Sequence, residues 1–476
     1  MINSNLKIGL FGIGLDVYWD QFEGLKTSLE SYLDILNQKF SKLPITVINA
    51  GLVDTVDKAF ETGKLFRQED VNIIFLYVGT YALSSTVLPV VQKAKVPVVI
   101  LNLSPDACID YERFNKLDDR TEMTGEWLKF CSACPVPEIA NVFKRTGIKF
   151  QQITGMLEND PESWNEIQEW IEAANVANVM QNNRMGCMGS YYSGMLDIYT
   201  DLTLQIKYFG GHFEHIEVDE LTAIKNKVTA DEINKRILEF KANFDIQADC
   251  LPDELVRAAR TSVAMDKVVA QYKLGSFAYY HKGTGNPGNE DTMSSIILGN
   301  SLLTAHHIPV AGEYEIKNAQ AMKIMDSFGA GGSFTEYYAM DYADDVVLMG
   351  HDGPGHIAIA EGKTKVKPLQ VYHGKVGSGL SVEMAVKQGA ITCLSVVEKG
   401  NGELMLLVAE GESVAGPILQ IGNTNSRYRF ALGARKFVSD WNSYGPAHHC
   451  AVGIGHIASK LQKLAMILDM EMVKVC

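Results

Sequence analysis

At 476 residues, 46% of them hydrophobic and 21% charged, the chain is too long for one ordinary core and has the composition of a soluble globular protein, so two to four domains are expected. A formal net charge of −14 argues against nucleic acid or an anionic membrane as a partner, because both reward clustered Lys and Arg. No apolar run approaches the roughly 18 residues of a membrane-spanning helix. The first apolar run, Ile8 to Leu15, lacks the cleavage-site pattern of a signal peptide, and a cytoplasmic location is expected.

Residues 6–14 read as a first strand, followed by a helix near Phe22–Leu36, a strand at Ile45–Ala50, a strand at Asn72–Val78, a helix over Thr80–Lys93 and a strand at Val96–Leu101. This alternation predicts a parallel sheet with helices on both faces. Gly12-Ile13-Gly14 suggests a dinucleotide-binding turn, but position 17 is Val where the third glycine belongs, so no nucleotide cofactor is expected. Ligands of such sheets sit at the carboxyl ends of the strands. That places Tyr18, Trp19 and Gln21, in the loop Asp16–Gln21, as candidates for binding a sugar.

Eight cysteines, at 108, 131, 134, 187, 250, 393, 450 and 476, are spread thinly, as in an intracellular protein with reduced thiols. Cys131 and Cys134 have redox or zinc spacing, but no second such pair accompanies them, and two ordinary thiols are expected. Pro161–Asn178 reads as a helix with Pro at its start. A second α/β unit opens with a strand at Arg184–Met188, whose last residue, Met188, is a candidate pocket residue. It continues with strands at Leu202–Tyr208 and Glu214–Val218, a helix from Thr229 opened by a capping box, and a helix from Pro252 to about Gln271. Phe277–Tyr280 leads into a Gly-rich loop carrying His281 and Lys282, candidates for reading an unusual or anionic end of a sugar.

After about residue 330 the pattern becomes short apolar runs separated by Gly turns: Val346–Met349, Ile357–Ala360, Val366–Tyr372, Gly389–Lys399 and Leu404–Glu410. A mostly antiparallel β region is expected, closed by a helix at Ile457–Leu468. Glu313, Glu336 and His351 each end a separate element here, and His448-His449 add further imidazoles. Two carboxylates and two imidazoles make a mixed O/N set that suits manganese, and zinc less specifically. His356 competes with His351 for the same role, and His306-His307 read as structural or near a cavity rim.

These residues resemble a known family. Ala311-Gly312-Glu313 with Lys317-Asn318-Ala319, then Gly332-Ser333-Phe334-Thr335-Glu336, Val347-Leu348-Met349-Gly350-His351 and Gly445-Pro446-Ala447-His448-His449 are similar in order and spacing to the L-arabinose isomerase / L-fucose isomerase group. The resemblance implies an α/β fold. Two Rossmann-like, flavodoxin-type parallel-sheet domains (1–180 and 181–329) would precede a mostly antiparallel β-barrel-like domain (330–476) with a terminal helix. It implies Glu313, Glu336, His351 and His449 as ligands of Mn2+, with Co2+ or Mg2+ as alternatives, and Glu313 and Glu336 as the acid/base pair. His448 would orient His449 or meet a sugar hydroxyl. It also implies a homotrimer or homohexamer with sites at subunit boundaries.

The chain departs from the family after His351, where Asp352-Gly353-Pro354-Gly355-His356 replaces an apolar segment, and around Cys131, Cys134, Pro135 and Glu138. The expected activity is aldose–ketose isomerisation of a small sugar through a cis-enediol. A non-catalytic sugar-binding protein and a metal-dependent sugar epimerase are the alternatives.

Overall fold

The computed structural model describes residues 5–369 and 377–476. The chain divides into two compact units, one ending at Asn178 and the other beginning at Val179. Among the described residues no helix is long and apolar enough to cross a membrane.

The first unit is built on five parallel strands, β1 (Lys7–Ile13), β2 (Thr46–Val53), β3 (Ile73–Tyr77), β4 (Val98–Ser104) and β5 (Phe150–Met156), in the order β2-β1-β3-β4-β5. Strand β3 is buried along its whole length, as expected of a central strand covered on both faces. The order turns at β1 and β3, the flavodoxin-type arrangement, so the loop after β1 emerges at the topological switch point. The glycines of Gly12-Ile13-Gly14 serve packing: a Cβ on Gly12 would lie 2.9 Å from Leu52, and one on Gly14 2.6 Å from the Trp19 ring. The helix expected over Thr80–Lys93 is a 3-10 turn, Ser84–Thr86, followed by a helix only at Leu88–Ala94. Cys131 and Cys134, expected as free thiols, form a disulfide. The turn between helices Arg120–Leu128 and Val136–Arg145 brings their Cα atoms to 5.5 Å, within bridging range.

The second unit begins with β6 (Arg184–Gly189) and β7 (His212–Ile216), continues through the short β8 (Asp245–Ile246) to β9 (Ser276–Tyr280), and reaches β10 (Val310–Ala311). Strands β10-β9-β6-β7 make a second parallel sheet. The expected strand at Leu202–Tyr208 is instead a helix, Leu202–Phe209. Its alternating apolar residues imitate a strand, but Asp201 accepts hydrogen bonds from the Thr203 and Leu204 N–H groups and caps a helix there. The helix at Ala230–Asn243 carries the expected capping box.

The remainder is a closed antiparallel barrel. Its strands are β11 (Gly331–Asp341), β12 (Val346–His351), β15 (Gly389–Glu398), β16 (Leu404–Ser413), β17 (Thr424–Arg429) and β18 (His449–Ile454). They run β15-β18-β11-β12-β17-β16, and β16 pairs back with β15. Two further strands, β13 (Lys365–Leu369) and β14 (Gly379–Glu383), form a small sheet with β8. The run expected over Val366–Tyr372 thus matches a strand ending at Leu369, and residues 370–372 lie outside those described. Ile357–Ala360, expected as a strand, is a 3-10 turn followed by a single bridge from Ala360 to Val386. The final helix, Ala458–Ile467, does not close the chain: β19 (Glu471–Lys474) adds parallel to β16.

Two positions show how tightly the backbone is set. A Cβ on Gly350 would fall 1.8 Å from the Thr424 carbonyl oxygen, so β12 and β17 pair there only because the residue is Gly. Lys273, an exposed residue at the C-cap of helix Pro252–Tyr272, sits at φ 54°, a conformation that glycine adopts without steric cost. Lys273→Gly is therefore expected to raise the unfolding free energy by about 0.5–1 kcal/mol. Gly350→Ala is expected to cost about 3 kcal/mol or more. Denaturant titration of each variant checks both.

Candidate metal centre

Strand β11 is the middle of the site. Its register sets Glu336 directly opposite His449 on β18 and Gly350 on β12. Side chains alternate across a strand. The neighbours Tyr337 and Cys450 pack in the barrel core, so Glu336 and His449 stand together on the outer face. His351, at the end of β12, is held by Thr424: the Thr424 hydroxyl accepts the His351 N–H at 2.9 Å and donates to its carbonyl at 3.0 Å. Phe334 fills the space behind both rings, with centroid distances of 4.4 Å to His351 and 4.3 Å to His449.

Glu313 reaches this cluster from the other side. After β10 the chain turns at Gly312, and both Glu313 and Tyr314 take left-handed backbone conformations, φ 57° and 62°. Two such non-glycine residues in succession cost about 1–3 kcal/mol each, and strain of this kind collects at functional sites. The turn is held by Tyr314 N–H donating to the Tyr279 carbonyl at 2.9 Å and Glu315 N–H to that of Gly312 at 3.0 Å. It aims the side chains of both Glu313 and Glu315 at β18.

Three imidazoles surround the Glu313 carboxylate. His449 Nε2 lies 3.5 Å from it, and His448 Nε2 and His351 Nε2 lie 3.9 Å away. His448 Nε2 is also 3.9 Å from Glu336. Glu313, His448 and His449 offer atoms all within 4.8 Å of one another, a possible metal site.

The ring of His449 is fully buried. Its Nδ1 is hydrogen-bonded to Glu315, whereas its Nε2 has no hydrogen-bond partner among the described residues. Burial depresses the imidazole well below its ordinary pKa, and the neighbouring His448 adds to this. Burial pushes the Glu315 carboxyl up to about 8, against the opposing charges of Lys317 and His448. A buried imidazole with one nitrogen committed to a carboxylate and the other orphaned, facing a second carboxylate, fits a divalent ion. His448 differs. Burial lowers its pKa, but its bond to Asp197 and the charges of Asp197, Glu315 and Glu313 outweigh that and raise it overall.

The other sequence candidates fall in two places. Tyr18, Trp19 and Gln21 belong to the first unit. There the Trp19 indole N–H donates to Asp54 at 2.9 Å, Tyr18 packs edge-on to Phe22, and Gln21 is exposed. In the second unit, His281 and Lys282 line a cleft of about 500 Å³, open solvent included, with Tyr279, Glu290, Asp352 and Gly353. Met188 is fully buried in the core of the second parallel sheet. His356 is buried, with its pKa lowered to about 4, chiefly by burial. Among the described residues neither of its ring nitrogens has a hydrogen-bond partner, and its backbone N–H meets the Ser333 hydroxyl at 3.4 Å. His307 pairs with Asp326 at 2.9 Å.

Sequence reasoning missed Glu315, Thr424 and Asp197. Glu315 stands only two residues after Glu313, so its nearness in the chain was the one available signal. Asp197 and Thr424 lie far along the chain from the groups they hold, and no local pattern marks them.

The C-terminal domain of L-arabinose isomerases matches residues 331–471. The L-arabinose isomerase of Nocardioides sp. is 22% identical over 352 residues, covering 71% of this chain and 68% of that one. Among solved structures, an ABC-transporter solute-binding protein from Actinobacillus succinogenes with bound D-allose aligns at 13% identity over 61% of this chain and 82% of its own, with a TM-score of 0.17. A similar protein from Burkholderia multivorans aligns at 12% over 64% and 97%, with a TM-score of 0.16. At those scores neither carries weight. The C-terminal barrel is thus similar to the C-terminal domain of L-arabinose isomerases, and the chain as a whole is distantly similar to one of them.

Proposed function

We propose that the chain is a metal-dependent aldose–ketose isomerase that acts on a small, unphosphorylated sugar through a cis-enediol. The observation that carries this reading is the convergence of Glu313 and Glu336 on His448 and His449, beside the orphaned Nε2 of a buried imidazole. An aldose and its ketose differ by a proton moved between C2 and C1 and another moved between two oxygens. Glu313 and Glu336 share these tasks: one takes the carbon-bound proton and returns it to the neighbouring carbon, and the other passes the hydroxyl proton. Their separate carriers, a turn and a strand, let them approach a substrate from two directions. Glu313, Glu336, His351 and His449 would hold the ion, manganese on this reading with cobalt or magnesium as alternatives, and it would polarise the carbonyl and stabilise the enediolate charge.

The cleft supports a neutral polyol. Lys282 shares it with Glu290 and Asp352, and carboxylates that outnumber the cation favour hydroxyl donors over a phosphate or carboxylate end. The same reading makes the working molecule a cytoplasmic homotrimer or homohexamer.

Two measurements test it. Adding Mn2+ to chelator-stripped protein at a hundred times its Kd should stabilise the fold by about 2.7 kcal/mol, and His449→Ala should abolish that shift. Incubation of the Mn2+ form in D2O with a panel of aldoses should yield ketose carrying deuterium at C1. Glu313→Gln and Glu336→Gln should each lower that rate by at least about 100-fold. Exchange at C2 without ketose would mark an epimerase, and tight metal binding with neither exchange nor conversion would mark a binding protein.

A further inference from the structure

Asp197 lies in the 3-10 turn Leu196–Ile198, 251 residues from His448, and holds it at two points. One carboxylate oxygen, Oδ2, accepts the backbone N–H of His448 at 2.9 Å and also the ring Nδ1–H at 2.6 Å. With main chain and ring tied to one atom, the imidazole plane is fixed, and Nε2 is the only ring nitrogen left to face the site. It faces Glu313 and Glu336 at the same distance, 3.9 Å from each.

We infer that Asp197 is a positioning residue that orients His448, and that His448 presents Nε2 to substrate oxygens in the gap between the two carboxylates. The inference rests on the isomerase reading of this site. Exposure separates the two adjacent imidazoles. The His449 side chain is 0% exposed and its Nδ1 is taken by Glu315, whereas the His448 side chain is 36% exposed. His449 is built as an inner donor, and His448 is the ring an incoming ligand meets. The Asp197 turn is tied to the same frame, because Lys317 Nζ donates to the Asp197 carbonyl. Lys317 lies in the first turn of the helix that follows the Glu313 turn. One segment therefore sets both the carboxylate and, through Asp197, the imidazole that faces it.

A double-mutant cycle with the Mn2+ enzyme tests this. Asp197→Ala should lower kcat by about 10- to 100-fold, with KM within about threefold of wild type. Asp197→Asn, which keeps an acceptor of the same shape, should recover most of that loss. In the His448→Ala background, Asp197→Ala should cost nothing further. Should Asp197→Ala fail to fold, Asp197→Asn takes its place in the cycle, with an expected loss of about threefold that vanishes when His448 is Ala. Independently of turnover, metal-free protein labelled with 15N-histidine should show a hydrogen-bonded Nδ1–H signal for His448. Asp197→Ala should remove that signal and leave the signal of His449 in place.

A kcat within twofold of wild type, an equal extra loss in the His448→Ala background, or an unchanged His448 Nδ1–H signal would overturn the positioning role. Wild-type protein that converts no sugar would instead sink the isomerase reading, and the NMR signal would still decide whether Asp197 orients His448.

Discussion

The pairing of Glu336 with His449 across β11 and β18 is the contact on which the centre depends. It is a matter of register, and register in a sheet is enforced by the face that cannot be exposed. Tyr337, Cys450 and Val452 pack in the barrel core. A slip of one residue would turn Glu336 inward and bring these apolar groups out. Closure of the ring fixes every strand from both sides, so the hydrophobic effect acting inside the barrel holds two polar side chains in place outside it. Gly350 completes the arrangement, since any larger residue would push β12 away from β17.

Against that rigid half stands a strained one. The Glu313–Tyr314 turn places two non-glycine residues in the left-handed region. His449 carries a buried nitrogen without a hydrogen-bond partner among the described residues, and Glu315 is a buried acid. Each feature lowers the stability of the folded chain. They occur together at one spot, next to a carboxylate ringed by three imidazoles, which is how a site that trades stability for binding is built.

Much of this was legible in the sequence, and what was not has identifiable causes. Glu313, Glu336, His351 and His449 stand in short motifs, and the structure brings Glu313 within 3.5–3.9 Å of the imidazoles of His351, His448 and His449. The alternation of strand and helix gave both parallel sheets, because buried parallel strands are continuous apolar runs. The error at Leu202–Phe209 arose because Leu202, Leu204, Ile206 and Tyr208 alternate like a strand, while a single capping carboxylate, Asp201, decides for helix. The bond between Cys131 and Cys134 depends on a turn whose closeness spacing alone does not determine. Asp197 is the furthest from view: its role exists only because a short turn meets the start of β18 in space, and neither segment carries a pattern that names the other.

The anchoring of the His448 and His449 rings through Asp197 and Glu315 bears on how an ion would come and go. Rings already fixed by the fold have little rotational freedom left to lose when a ligand arrives, so the entropy of ordering them is spent during folding rather than during binding. Affinity in such a centre is governed by the stiffness of the surrounding frame as much as by the donors themselves. Loosening a remote anchor would therefore speed the departure of the ion without removing any atom that touches it.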